Sequence, residues 1–277
     1  MINPTVSTPQ LFTYTLHLAD NALILAQRNA GWTGHGPVLE QDIAITNISL
    51  DLLGQARNFY QYAATVYNNF NAGEKKDADD LIPRLWKNYN RELNEDHLAF
   101  LRDEHQYRNF LITELPKGDW AQTVLRQFFF SAFQRLHYEQ LKKCSDTQLA
   151  AIAEKAVKEV AYHLRWSSEW VIRLGDGTEE SNQRITQALE VLWPFTGELF
   201  SAAPFEQVLL ANFGIDMDVL KSAWLQKINN VFEEATITVP QQEGFQRGGK
   251  EGKHTEYLGY LLAEMQHLQR AYPNSVW

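Results

Sequence analysis

Ile45-Thr46-Asn47-Ile48-Ser49-Leu50-Asp51-Leu52-Leu53-Gly54-Gln55-Ala56-Arg57-Asn58-Phe59-Tyr60 is the stretch on which the fold turns. Ile45, Ile48, Leu52, Ala56 and Phe59 recur every three or four residues, which stacks them on one face of an α-helix. Ala63 and Tyr67 continue the pattern and predict a helix over about 38–68. A second stripe, Asn47, Asp51, Gln55 and Asn58, runs along the same helix and is polar. A polar stripe inside an otherwise apolar helix needs partners, because buried acids are costly unless paired.

The flanking sequence supplies three more long helices. Over about 10–30, Leu11, Tyr14, Leu18, Ala22 and Leu25 trace one face and Leu16, Leu23 and Ile24 another, so this helix is apolar on two sides and central. Asp20 lies among the second set. Residues 31–37, with three glycines and a proline, end that helix. Asp119 is an N-cap for a helix over 119–143, and Ser145-Asp146 opens another over 146–174. The third long helix carries the stripe Gln127, Ser131, Gln134 and Tyr138. The fourth sets Glu159 and His163 among Ile152, Ala156, Trp166 and Trp170.

The connecting segments are less regular. The charge run from Glu74 to Asp80 and Pro83 mark 71–95 as a solvated connector, and a helix is expected from Asp96 through Leu111. Beyond the fourth long helix, helical spacing recurs over 179–199, 205–213, 216–234 and 255–270, with a short extended piece at 236–240. Period-two alternation is almost absent. The expectation is an all-α chain: one domain, 1–277, a four-helix bundle with a C-terminal helical elaboration over 179–277.

Composition agrees and removes several function classes. Fifteen Gly and nine Pro in 277 residues are too few for a turn-rich β protein or a disordered chain. The net charge of −9 argues against a general nucleic-acid binder, which needs a basic footprint. Cys144 is the only cysteine, so no internal disulfide or cysteine-held metal forms, and seven residues from His137 it reads as an inert thiol. The start, Met1-Ile2-Asn3-Pro4, is unlike a signal peptide, and no apolar run is long enough to span a bilayer. A soluble cytoplasmic protein is expected.

Asp20, Asp51, Ser131, Glu159 and His163 stand where a di-iron bundle keeps its ligands. Such a site takes one Glu from each of two helices and Glu-x-x-His from each of the others. Here Asp20 is a methylene short, Gly54 stands where Asp51 would need a histidine three residues on, the third helix offers Ser131 among glutamines, and Glu159 and His163 are four apart. A hydrogen-bonded polar core replaces the metal in this reading. An unusual metal pair on Glu159 and His163 is the alternative. Glu251–His254 and Glu264–His267 have the literal spacing but no second helical pair to complete them. No nucleophile elbow, P-loop or dinucleotide fingerprint occurs. One segment suits an anion or an acidic partner: Arg247, Lys250, Lys253 and His254, spaced by glycines ahead of the last helix.

Residues 42–59 together resemble the structural C subunit of phenylacetyl-CoA epoxidase. So do Leu101-Arg102-Asp103-Glu104, Lys158-Glu159-Val160-Ala161-Tyr162-His163-Leu164-Arg165, Leu192-Trp193-Pro194-Phe195-Thr196-Gly197-Glu198-Leu199-Phe200, and the end Gly248-Gly249-Lys250, His254-Thr255-Glu256, Ala263-Glu264-Met265-Gln266. The resemblance spans nearly the whole chain, and the charged stretch 71–95 departs from it. It implies a ferritin-like fold and a structural, non-catalytic subunit of a multicomponent monooxygenase that converts phenylacetyl-CoA to its ring-1,2-epoxide. In that family a catalytic A subunit holds the di-iron site, and a small B subunit together with a reductase completes the system. No cofactor is expected in this chain itself, and self-association of the isolated chain is left open. A CoA-ester binding protein using Arg247, Lys250 and Lys253 is a further reading of the basic segment.

Overall fold

The computed structural model describes residues 8–88, 91–272 and 275. Two helical hairpins form its centre. In the first, α1 (Thr8–Ala30) turns into α2 (Leu39–Asn68). The turn requires glycine twice. Gly34 has φ of 79°, and a Cβ on Gly36 would lie 2.7 Å from the Cα of Asp42, whose carboxylate accepts the Gly36 amide at 2.9 Å.

A crossover follows, with the short helices α3 (Ala72–Asp77), α4 (Glu95–Phe100) and α5 (Leu111–Glu114). The second hairpin is α6 (Trp120–Leu141) and α7 (Thr147–Gly175). Both start where a side chain can satisfy free amides: Asp119 accepts from the Gln122 amide, and Asp146 from those of Gln148 and Leu149.

Side-chain pairs fix the directions. Tyr14 meets His137 and Asn29 meets Gln127, so α1 and α6 are antiparallel. Asp51 meets His163 and Tyr62 meets Asp146, so α2 and α7 are antiparallel too. The order is up, down, long crossover, down, up. One long crossover between the second and third bundle helices is the topology of ferritin-like bundles. The interior between them is filled by Leu16, Ile24, Ile48, Phe59, Val124, Phe128 and Val160, all fully buried. Each such side chain contributes about 1.5–3 kcal/mol relative to exposure.

The remaining helices wrap this centre: α8 (Glu179–Leu192), α9 (Pro204–Phe213), α10 (Met217–Glu234), α11 (Glu256–Met265) and α12 (His267–Ala271). Among the described residues there is no strand, and no helix is long and apolar enough to cross a membrane.

Three expectations change. The helix expected from Asp96 through Leu111 breaks after Phe100. Arg102 turns inward and its side chain, not a further turn of helix, takes the carbonyls of Leu98 and Gln106. The helix expected over 179–199 passes at Trp193 into a 3-10 turn, Trp193–Phe200, because Pro194 has no amide to continue the ladder. The last helix divides at Gln266, whose side-chain Nε2 donates to the Arg102 carbonyl and the Tyr107 hydroxyl. The charged run 74–80 lies on the surface apart from Ala78, while Leu81 and Ile82 after it tuck into the core.

Candidate functional site

The five residues expected to share one polar core are divided among separate hydrogen-bonded groups. Asp20 on α1 is fully buried. It accepts both terminal guanidinium nitrogens of Arg102, the Tyr60 hydroxyl at 2.5 Å and the Arg108 amide at 2.8 Å. The Arg102 guanidinium also lies 4.2 Å from the Tyr107 ring centroid. Burial works against its charge, but the Asp20 carboxylate outweighs this and raises the arginine's pKa above its ordinary value. Burial, then the same carboxylate, push the Tyr60 hydroxyl up. Tyr60 therefore remains a neutral donor to Asp20.

Asp51 and His163 form the second group, 3.0 Å apart across α2 and α7. His163 is buried, and the Asp51 side chain is 37% exposed. At the centre of the bundle a third group runs through amides. Gln134 donates to Gln55 at 2.9 Å and to Tyr138 at 3.0 Å, and Gln55 donates on to Glu159 at 2.9 Å. Ser131 belongs to a fourth group, accepting from Gln127, which in turn accepts from Asn29.

This donor set does not fit a di-iron centre. The acid on α1 is neutralised by an arginine, and a guanidinium beside that carboxylate repels a metal cation. On α2 and α6 the residues facing the centre are Gln55, Gln134 and Tyr138, neutral groups that cannot offset the charge of two irons. Among the described residues, no three His, Cys, Asp or Glu side chains gather as a metal site. Cys144 is a buried free thiol whose pKa is pushed up to about 11, chiefly by burial, and His137 pairs instead with Tyr14.

The glycine-spaced basic segment differs from its expected role. Lys250 is not available to a partner or an anion: it is buried and donates to Glu206 at 2.7 Å and to the Ser201 carbonyl at 3.0 Å. The His254 side chain is likewise buried, with Nδ1 2.7 Å from Glu114 and Nε2 3.1 Å from the Tyr107 carbonyl. Only Arg247 and Lys253 stay on the surface, Lys253 paired with Glu251 at 3.0 Å. A three-cation grip on CoA phosphates is therefore not formed. The glycines serve the fold instead: the amides of Gly248 and Gly249 both donate to Glu198, and a Cβ on Gly249 would lie 2.1 Å from the Asn109 carbonyl oxygen.

Sequence reasoning missed this seam of buried charge between bundle and wrapping. Glu198 accepts from the amides of Leu111, Gly248 and Gly249; burial raises its pKa against those bonds. Glu206 lies 3.8 Å from His17, and Lys250 overcomes burial to hold its carboxyl below the usual range. Burial lowers His17 to about 4, so the contact with Glu206 is not an ion pair at neutral pH, and Nδ1 donates to the Arg108 carbonyl at 2.6 Å. Burial also lowers His137, to about 3. The available signal was acids flanked by apolar residues, as in Ile112-Thr113-Glu114-Leu115 and Thr196-Gly197-Glu198-Leu199.

The chain is similar to known proteins. In Escherichia coli (strain K12), the C subunit of 1,2-phenylacetyl-CoA epoxidase is 46% identical over 270 residues, 97% of this chain and 99% of that one. A solved structure from Synechococcus, a protein with aldehyde deformylating oxidase activity, aligns over 83% of this chain and 88% of its own with a TM-score of 0.47 and 12% identity. The family described as Phenylacetic acid catabolic protein matches residues 2–277, and the chain belongs to that family.

Proposed function

We propose that this chain is the structural, non-catalytic subunit of a cytoplasmic multicomponent di-iron monooxygenase that epoxidises the aromatic ring of phenylacetyl-CoA. It pairs with a catalytic A subunit that holds the iron, and a small B subunit together with a reductase completes the system. The observation that carries this reading is the Asp20–Arg102 pair: a ligand position of an active bundle is given over to an internal ion pair. The relative's name, which makes it the C subunit of 1,2-phenylacetyl-CoA epoxidase, supports the choice of reaction.

The outer side of α2 supports the pairing. Leu39, Ile43 and Leu50 are 71%, 51% and 60% exposed along one face, and a Cβ on Gly54, further down the helix, would meet nothing within 4 Å. Glycine inside a helix costs roughly 0.5–1 kcal/mol relative to alanine, and nothing within this chain requires it at that position. A partner helix approaching closely would.

Co-expression with the catalytic subunit, followed by size measurement and an assay of each chain alone and together, tests the proposal. Epoxidation should require both chains, and Leu50→Arg should abolish co-purification while leaving the thermal unfolding of the isolated chain within about 0.5 kcal/mol. Turnover of phenylacetyl-CoA by this chain alone would overturn it.

A further inference from the structure

One buried cation has no counter-charge. Arg126, on α6, is fully buried. Its Nη1 donates to the carbonyls of Leu115 at 2.7 Å and Pro116 at 2.9 Å, just beyond α5. Its Nε and Nη2 are enclosed and have no hydrogen-bond partner among the described residues. Arg102 and Lys250, the other buried arginine and lysine among those residues, each meet a carboxylate, Asp20 and Glu206. Arg126 differs: both of its bonds go to neutral carbonyls, and the charged group acting on it is a second cation, Arg28.

The side chain has no route to water. Leu125, Gln127, Phe129 and Phe130 around it on α6 are buried as well, so the guanidinium cannot snorkel out. Arg28 on α1 donates through Nε and Nη2 to the Glu114 carbonyl at 2.9 and 2.6 Å. Two guanidinium groups thus take three successive carbonyls, 114 to 116, and bring two positive charges to one turn. The Glu114 carboxylate does not offset them, since it accepts from the Thr255 amide and lies 2.7 Å from His254. Burial, then Arg28, lowers Arg126 to about 9, which leaves it charged at neutral pH. Capping the end of α5 accounts for Nη1 alone. An isolated charge and two unmet donors are both costly in a protein interior.

The unpaired edge is the one built for anions. The Nε and Nη2 N–H bonds point the same way from a planar group, a parallel pair that grips one anion with two donors. Enclosure then selects for size, because an anion carrying a chain or ring would need an opening that a fully buried side chain does not have. We propose that Arg126 holds a small inorganic anion of halide size between Nε and Nη2, an internal counter-ion that ties the turn after α5 to α1 and α6. The site lies apart from the amides at the bundle centre and does not depend on the chain's part in the epoxidase.

Crystals of the full chain purified and grown in bromide, measured at the bromine absorption edge, test it directly, because bromide scatters anomalously and water does not. An anomalous peak at hydrogen-bond distance from both Nε and Nη2 is expected. In solution, urea unfolding in potassium gluconate, with chloride exchanged in at constant potassium, gives a second readout. The folding equilibrium constant should rise about tenfold between roughly 1 and 100 mM chloride. Arg126→Met should abolish that rise, and Lys253→Gln, which removes a surface cation, should keep it. If Arg126→Met does not fold, the bromide map of the unaltered chain decides. An ordered water or no anomalous peak at that edge, unfolding indifferent to chloride, or a chloride effect that persists in Arg126→Met would overturn the proposal.

Discussion

Gln55, Gln134 and Tyr138 at the bundle centre bond to one another as neutral groups and meet a carboxylate only at the half-buried Glu159, whereas Asp20, Glu114, Glu198 and Glu206 around it are buried carboxylates, each held by a cationic side chain, a histidine or backbone amides. The difference follows from what is available to balance charge. Several acids facing one another between four helices are tolerable when metal ions sit among them; without metal, amides of similar size fill the space and hydrogen-bond to each other through the Gln134 nitrogen, leaving the Gln134 carbonyl oxygen without a partner. In the seam, an acid can reach a lysine, an arginine or a row of free amides on another element. The buried ionic groups have thus left the centre of the bundle and fasten the crossover and the C-terminal segment to it.

Breaking the largest of these pairs should have the largest effect. Asp20→Asn leaves the Arg102 guanidinium buried without its counter-charge, and should cost about 3–5 kcal/mol in urea unfolding. The double variant Asp20→Leu/Arg102→Leu should cost less than the single one. A single-variant loss below about 1 kcal/mol would remove the contrast between seam and centre.

Acid should weaken the side of the bundle facing the seam next. His17 and His137, lowered by burial to about 4 and about 3, are neutral when folded, while the unfolded chain protonates its histidines near pH 6.5. Between about pH 6.5 and pH 4 the unfolded state therefore binds more protons, and stability falls as pH falls. The two residues together give a slope of up to roughly 2.7 kcal/mol per pH unit. His137→Gln should remove about half of it. A flat stability profile across that window would contradict the burial-driven neutrality of these rings.

The smallest effect is expected at the centre. Gln134→Leu alone strands the Gln55 carbonyl and should cost about 1–3 kcal/mol, while Gln55→Leu/Gln134→Leu together should cost less, because both members of the hydrogen bond leave at once. Equal or greater loss in the double variant would mean that the amides do more than bond to each other.

How far the sequence could be read follows the same boundary. The bundle helices announce themselves, since Asp119 and Asp146 cap them and apolar residues recur at helical spacing throughout. The polar stripes on α2, α6 and α7 were legible too, and Gln55, Gln134 and Tyr138 meet where those helices face one another. The seam was not. Arg102, Glu114, Glu198 and Lys250 lie in short turns or a single helical turn, where periodicity assigns no face, and their partners are remote: Asp20 is 82 residues from Arg102, and Glu114 is 140 from His254. A glycine-rich stretch with four basic side chains looks solvated by composition; Lys250 and His254 turn inward only because Glu206 and Glu114 arrive from other elements.

That this ferritin-like bundle balances its buried charges without metal is tested most directly by elemental analysis of the isolated chain expressed in iron-supplemented medium. Trace, sub-stoichiometric iron that exchanges away on desalting is the predicted result. Near-stoichiometric iron retained through desalting and lost on Glu159→Gln would contradict it.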